Sequence, residues 1–150
     1  MREAATATVH ASAVLIGSRA ALIRGPAGSG KSRLALALIE AAGTGLIRFA
    51  RLVADDRVEM AASHGRLLVS PPAPLAGLIE VRGLGVRRVA FEAVAVAGLV
   101  IDLAAADGER IPAPSAQITD IGGIPLPRLP VAKGADALAI VLATLNSEAT

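Results

Sequence analysis

The stretch GPAGSGKS, residues 25–32, lies between AALIRG (20–25) and KSRLALALIEAA (31–42). AALIRG reads as a strand, and the downstream run places Leu34, Leu38 and Ala42 on one helical face. The pattern G-x-x-x-x-G-K-[ST] is met by Gly25, Gly30, Lys31 and Ser32. A glycine-rich loop can match this pattern by chance, but here strand, loop, Lys-Ser and helix agree. Such a loop curls so that backbone N–H groups converge on phosphate oxygens, and the helix N-terminus adds a favourable dipole. The whole segment Gly25, Pro26, Ala27, Gly28, Ser29, Gly30, Lys31 and Ser32 is therefore the candidate nucleotide cradle. Lys31 can reach β- and γ-phosphates, and Ser32 can ligate Mg²⁺.

Magnesium takes hard oxygen donors, commonly one or two carboxylates. RFARLVAD, residues 48–55, reads as a buried strand, and Asp55 and Asp56 close it. Neighbours on an extended chain point to opposite sides, but at a strand end both can reach one site. One aspartate could then hold the metal while the other takes a proton from the attacking group; the alternative is two solvated turn residues. His10, taken alone, reads as a surface histidine. Glu80 and Arg82 alternate along LIEVR (78–82) and would equally make an exposed ion pair. Arg110 falls in the polar loop DGERIPAPSAQ (107–117), and His64 in an apparent hairpin turn with Gly65.

The rest of the chain bounds the answer. With 150 residues, the expectation is one domain, 1–150. Hydrophobic residues make up 53%, with two Phe and no Trp, Tyr or Cys. A core of small aliphatic side chains suits helices packed on a sheet, and disulfides and cysteine–zinc sites are excluded. The net charge of +2 comes without a dense Lys/Arg cluster and almost without stacking aromatics, which argues against nucleic-acid binding. MREAATATVHASAVLIG (1–17) lacks the basic start and long apolar run of a leader, and the apolar run at 93–106 is broken by Asp102. The expectation is a cytoplasmic protein with no membrane partner. Strands are expected at 9–16, 20–24, 48–55, either side of His64–Gly65, from 78, over 91–104 with a break at Gly98, and as two short pieces around Gly122–Gly123. A second helix is expected over GADALAIVLATLN (134–146), where Leu138, Val141, Leu142 and Leu145 form a stripe. The fold class is α/β: a P-loop-containing mixed β-sheet with packed helices, not a regular βαβ alternation.

Four segments in this order, VHASAVLI (9–16), GPAGSGKS, RLVADDRVE (51–59) and LIEVRGLGV (78–86), resemble the HPr kinase/phosphorylase family. Its members carry an upstream His, a G-x-x-G-x-G-K-S loop, an L-x-A-D-D-R-V stretch and an E-[IV]-R-G-L-G signature. The resemblance runs from about Val9 to Asn146. It implies a nucleotide site like that of phosphoenolpyruvate carboxykinase, with ATP and Mg²⁺ as cofactors. It further implies a serine kinase acting on HPr or a related phosphocarrier of the phosphotransferase system, and a homo-oligomer, hexamers being common in the family. Carried over residue by residue, it makes His10 an active-site residue and Lys31 a phosphate contact. Ser32 becomes the Mg²⁺ ligand, Asp56 the base and Asp55 a support for metal or base. Glu80 becomes the second metal-side carboxylate, and Arg82 and Arg110 catalytic arginines. Two departures stand out. Only nine residues precede His10, as in the short form found in some alphaproteobacteria. And PVAKGAD (130–136) replaces P-V-R-P-G-R-N, so Ala132 and Ala135 stand where two arginines serve the reverse, phosphorylase reaction. The expectation is kinase activity with weak or absent phosphorylase activity.

Overall fold

The computed structural model describes residues 7–150; residues 1–6, part of the stretch read for a leader, lie outside it. The strands are β1 (Ala7–Val9), β2 (Ser12–Ile16), β3 (Arg19–Arg24), β4 (Ala50–Ala54), β5 (Val58–Ser63), β6 (Arg66–Ser70), β7 (Leu78–Val81), β8 (Gly85–Arg88), β9 (Ala95–Leu103), β10 (Ile118–Ile121) and β11 (Ile124–Val131). The helices are α1 (Lys31–Gly43) and α2 (Ala137–Leu145). Nine strands form one sheet in the order β1-β5-β6-β9-β3-β2-β4, with β11 also on β9 and β10 on β11.

Strand β9 is the hub. It runs parallel to β3 and to β11, and antiparallel to β6. Because β2 is antiparallel to both β3 and β4, β4 points the same way as β3. Four strands, β3, β4, β9 and β11, therefore end on one side of the sheet, where open α/β sheets place their ligands.

Consecutive residues of the central strands enter opposite cores, as a period of two demands. Val14, Ala21, Ile23, Leu52 and Ile101 face α1 and α2, meeting Leu34, Ala35, Leu38 and Val141. Ala13, Leu22, Val53 and Val100 face the other way, where the sheet curls over them with Val58, Met60, Leu67, Val69 and Leu126. Burial on both faces explains why these strands read as continuous apolar runs rather than alternating ones. In α1 the buried stripe is Leu34, Ala35, Leu38 and Ala41, one position before the expected Ala42. In α2, Val141 is fully buried, whereas Leu145 at the end of the expected stripe is 42% exposed.

Two expectations are corrected. The strand around Gly98 does not break: β9 passes through it as a bulge. Ala20 pairs with Ala97 and Ala21 with Leu99, so Gly98 is the extra residue. The alternation of faces slips by one there, with Ala95 and Ala97 on the same core as Val100. A Cβ at Gly98 would lie 2.7 Å from the Cβ of Arg19, so only glycine fits the close approach. LIEVRGLGV, expected as one strand running into glycines, is instead a hairpin of β7 and β8, forming a separate two-stranded sheet.

Gly98→Ala is expected to lower unfolding free energy by about 1–3 kcal/mol, because Arg19 must move at its backbone-attached carbon. Gly43→Ala, at the end of α1 with open space around it, should instead gain roughly 0.5–1 kcal/mol. Urea titration of both variants checks the contrast.

Candidate active site

The site grows from the end of β3. Arg24 is its last residue and Gly25 begins the glycine-rich loop. A Cβ on Gly25 would lie 2.5 Å from Ser29 Oγ and 3.1 Å from the carbonyl oxygen of Leu103, the last residue of β9. Glycine is thus required for the loop to fold back on itself beside β9. Gly30 sits in the left-handed region at φ 99° and caps α1 without a side-chain bond. The first-turn N–H groups of α1 are therefore not taken by a cap and remain available to an anion. Lys31 folds over the loop, its Nζ donating to the carbonyl oxygens of Gly25 (2.8 Å) and Pro26 (3.1 Å). The Ser29 hydroxyl is buried inside the curl and finds no partner among the described residues. An orphaned donor, an open helix terminus and an ammonium on one loop form a donor set that suits phosphate oxygens.

Asp55 and Asp56 separate at the bend that follows β4. Asp55 turns inward and is 4% exposed. It accepts from Ser12 Oγ at 2.7 Å, from Ser32 Oγ at 2.7 and 2.9 Å, and from the Glu80 N–H at 3.1 Å. Asp56 sits at φ 67° and turns outward. Its carboxylate lies 4.0 Å from His10 Nδ1, both side chains being well exposed. Ser32 and Asp55 thus meet at the mouth of the loop, a hydroxyl and a carboxylate of the kind Mg²⁺ takes. Among the described residues no three His, Cys, Asp or Glu side chains cluster to cage a metal.

The remaining expected residues lie at the margins. Glu80 reaches Asp55 through its backbone, while its side chain is exposed on β7. Arg82 lies in the turn of the β7–β8 hairpin and Arg110 in the loop after β9. Both are exposed, and neither makes a hydrogen bond or ion pair among the described residues. The Glu80–Arg82 ion pair left open by the sequence is not formed. His64 is exposed in its turn, with Nδ1 2.9 Å from Ser63 Oγ.

Two features escaped the sequence. Ser12, buried in β2, is a direct partner of Asp55 and carried no motif to flag it. The other is an ionic chain beside the loop. Arg24 donates from Nε and Nη2 to the two carboxylate oxygens of Asp102, at 2.7 and 2.8 Å. Arg128 donates from Nε to the same carboxylate, and from Nη1 and Nη2 to Asp107 at 2.8 and 3.1 Å. A charged residue in the apolar run of β9 was the one available signal. Burial pushes the Asp102 carboxyl up, but the hydrogen bonds and charges of Arg24 and Arg128 outweigh it and hold it below its ordinary value. The Arg128 bond likewise holds Asp107 low, and the bond to Asp107 raises Arg128.

Residues 2–148 match the family described as the HPr serine kinase C-terminal domain. The chain belongs to this family. The HPr kinase/phosphorylase of Enterococcus faecalis is 35% identical over 163 aligned positions, covering 99% of this chain and 50% of that protein. The chain thus spans about half the length of that relative. The corresponding protein of Clostridium tetani is 46% identical over 65 residues, 43% of this chain and 19% of its own length. A solved structure described as the Hpr(Ser) kinase/phosphatase of Coxiella burnetii superposes with a TM-score of 0.73 at 25% identity. It covers 93% of this chain and 88% of that one. The family, the mixed α/β architecture and the four sequence segments agree. Among the described residues no helix is long and apolar enough to cross a membrane.

Asp102 and Asp107 both titrate lower in the folded chain than in the unfolded one, so each adds stability that is complete above the ordinary value of 3.8. That stability is lost as pH falls through the lower folded values. Unfolding titrations at successively lower pH should show stability falling below about pH 4, and falling less steeply in Asp102→Asn.

Proposed function

We propose that this chain is the catalytic part of an ATP- and Mg²⁺-dependent protein kinase that phosphorylates a seryl residue of HPr or a related phosphocarrier, with little phosphorylase activity. The observation that carries the proposal is the divergence of the two aspartates. Asp55 is tied inward to Ser32 on the glycine-rich loop, and Asp56 is presented outward beside His10. One carboxylate faces the nucleotide side and the next faces an incoming acceptor.

In this reading Gly25–Ser32 and the start of α1 bind the phosphates through backbone N–H groups, with Lys31 moving from its loop carbonyls onto phosphate oxygens. Ser32 and Asp55 are the residues that would hold Mg²⁺, with Glu80 lying next to Asp55 as a further carboxylate. Bound there, the ion would neutralise phosphate charge as it transfers. Asp56 accepts the proton of the seryl hydroxyl as that oxygen bonds to the γ-phosphorus and the bond to the β-bridging oxygen breaks, ADP leaving with the electron pair. His10 lies 4.0 Å from the Asp56 carboxylate, close enough to act on it electrostatically. Arg82 and Arg110 supply positive charge to the transferring group. A homo-oligomer working in the cytoplasm belongs to the same reading.

The weak reverse reaction rests on residues 130–136, where Lys133 is the only cation. Attack of inorganic phosphate on phosphoserine brings two anions together, whereas the forward reaction brings ATP to a neutral hydroxyl, and this segment offers little to offset that repulsion.

The test is transfer from labelled ATP, with Mg²⁺, to an HPr-type carrier and to its serine-to-alanine variant. Label on the first alone supports the kinase. ATP bound with no label transferred points instead to a nucleotide-sensing module or a different acceptor. Lys31→Ala should abolish transfer. Asp56→Asn should keep ATP binding and lose roughly 10²–10⁴-fold in turnover; normal turnover would remove Asp56 as the base. Pyrophosphate release from phosphoserine carrier should be near background, and robust release would contradict the reading of residues 130–136.

A further inference from the structure

Arg24, Asp102 and Arg128 stand side by side on three adjacent parallel strands. Arg24 and Asp102 are direct partners in the β3–β9 register, and Arg128 pairs with Val100 two residues before Asp102. The alternation that sends Leu22, Val100 and Leu126 into the curled-sheet core puts all three charged side chains on that same face. There they close the core at the end where the ligand-side loops begin. Arg24 joins this row directly to Gly25.

Arg128 does something the other two do not. Its Nη1 donates to the Asp107 carboxylate and also to the carbonyl oxygen of Ala116 at 2.9 Å, and its Nη2 donates to Asp107. One guanidinium thus grips both sides of an excursion, residues 107–116, whose middle carries Arg110. The arginine is only 15% exposed at its side chain. The loop is also laced locally. Ala105 N–H donates to Val131 O, Gly108 N–H to Ala105 O and Glu109 N–H to Asp107 O, and the Gln117 amide donates to Pro112 O. A Cβ on Gly108 would lie 2.5 Å from the Ala132 nitrogen, so the loop is pressed onto the segment after β11. A planar fork with five donors is suited to bridge a carboxylate, a second carboxylate and a carbonyl at once; a lysine is not.

We propose that Arg128 is a positioning residue: through the chain Arg24–Asp102–Arg128–Asp107 it fixes the Arg110 loop relative to the phosphate loop. The catalytic half of this proposal rests on the kinase reading, in which Arg110 serves the transferring group. The structural half does not.

Two measurements on the whole chain test it. In Arg128→Met, Asp102 keeps Arg24, so ATP binding should hold within about threefold while kcat for carrier phosphorylation falls about 10–100-fold. Amide exchange at Gly108, Glu109 and Ala116 should quicken by about tenfold or more, with the amides of α1 unchanged. Arg128→Lys should restore thermal stability but not loop protection or kcat; full recovery of kcat by lysine overturns the proposal. In an Arg110→Ala background the Arg128→Met loss should largely vanish, and a full additional loss there overturns it. Unchanged loop exchange, or faster exchange with normal kcat, also overturns it. A wild-type chain that binds ATP but transfers nothing sinks the kinase reading and the catalytic half with it, while exchange still decides the strap.

Discussion

A carboxylate taken out of water must find its hydrogen bonds in the protein, and Asp55 finds them from three separate elements. Ser12 comes from β2, Ser32 from the first turn of α1 and the Glu80 N–H from β7. Removing any of these leaves part of a buried charge unsatisfied, which costs more than the bond itself was worth. The position of α1 over the sheet, the docking of the β7–β8 hairpin and the end of β4 are therefore coupled through one side chain. The same side chain is the proposed support of the metal.

That coupling works because of where the strands end. β3, β4, β9 and β11 all point to one side, so Gly25, Asp55, the loop after Leu103 and the segment after Val131 emerge together. Strand β9 enforces this arrangement, since it is parallel to two of the others and buried on both faces. The bulge at Gly98 shifts its phase so that Ala95 and Ala97 before it and Val100 after it serve the same core. Were Gly98 an ordinary pleated residue and not a bulge, the two halves of the strand would present opposite faces, and Asp102 would turn toward the helices.

What could be read directly from the sequence was local in the chain. The glycine-rich loop, α1, the aspartate pair at a strand end and the hairpin at His64–Gly65 are each contained within 13 residues or fewer, where period and turn chemistry act. The unread parts join residues far apart. Arg24 and Asp102 are 78 positions apart and Ser12 and Asp55 43 apart, and nothing in the local spacing of either pair announces the other. Gly98 misled for a related reason. Glycine interrupts a pattern both where a strand ends and where another side chain comes close, and Arg19 lies 79 positions away in sequence. The roles proposed for Arg82 and Arg110 rest on the family resemblance alone. Their side chains stand in exposed turns without bonds to fix them.

The composition gives the ionic chain a second reason to exist. With two Phe and no Trp, Tyr or Cys, the core is built from Ala, Val, Leu and Ile, which are close to interchangeable along a strand. If β9 slid by two residues against β3, each face would still bury aliphatic side chains, so apart from the close approach of Gly98 to Arg19 packing penalises the slip weakly. The slip would, however, separate Arg24 from its direct partner Asp102 and leave a partly buried carboxylate and guanidinium poorly matched. Breaking such a pair is costly even where forming it gains little. The charged row at the strand ends thus selects among registers that the aliphatic core tolerates. It does so beside Gly25, where an error of one residue pair would move the glycine-rich loop relative to Asp55.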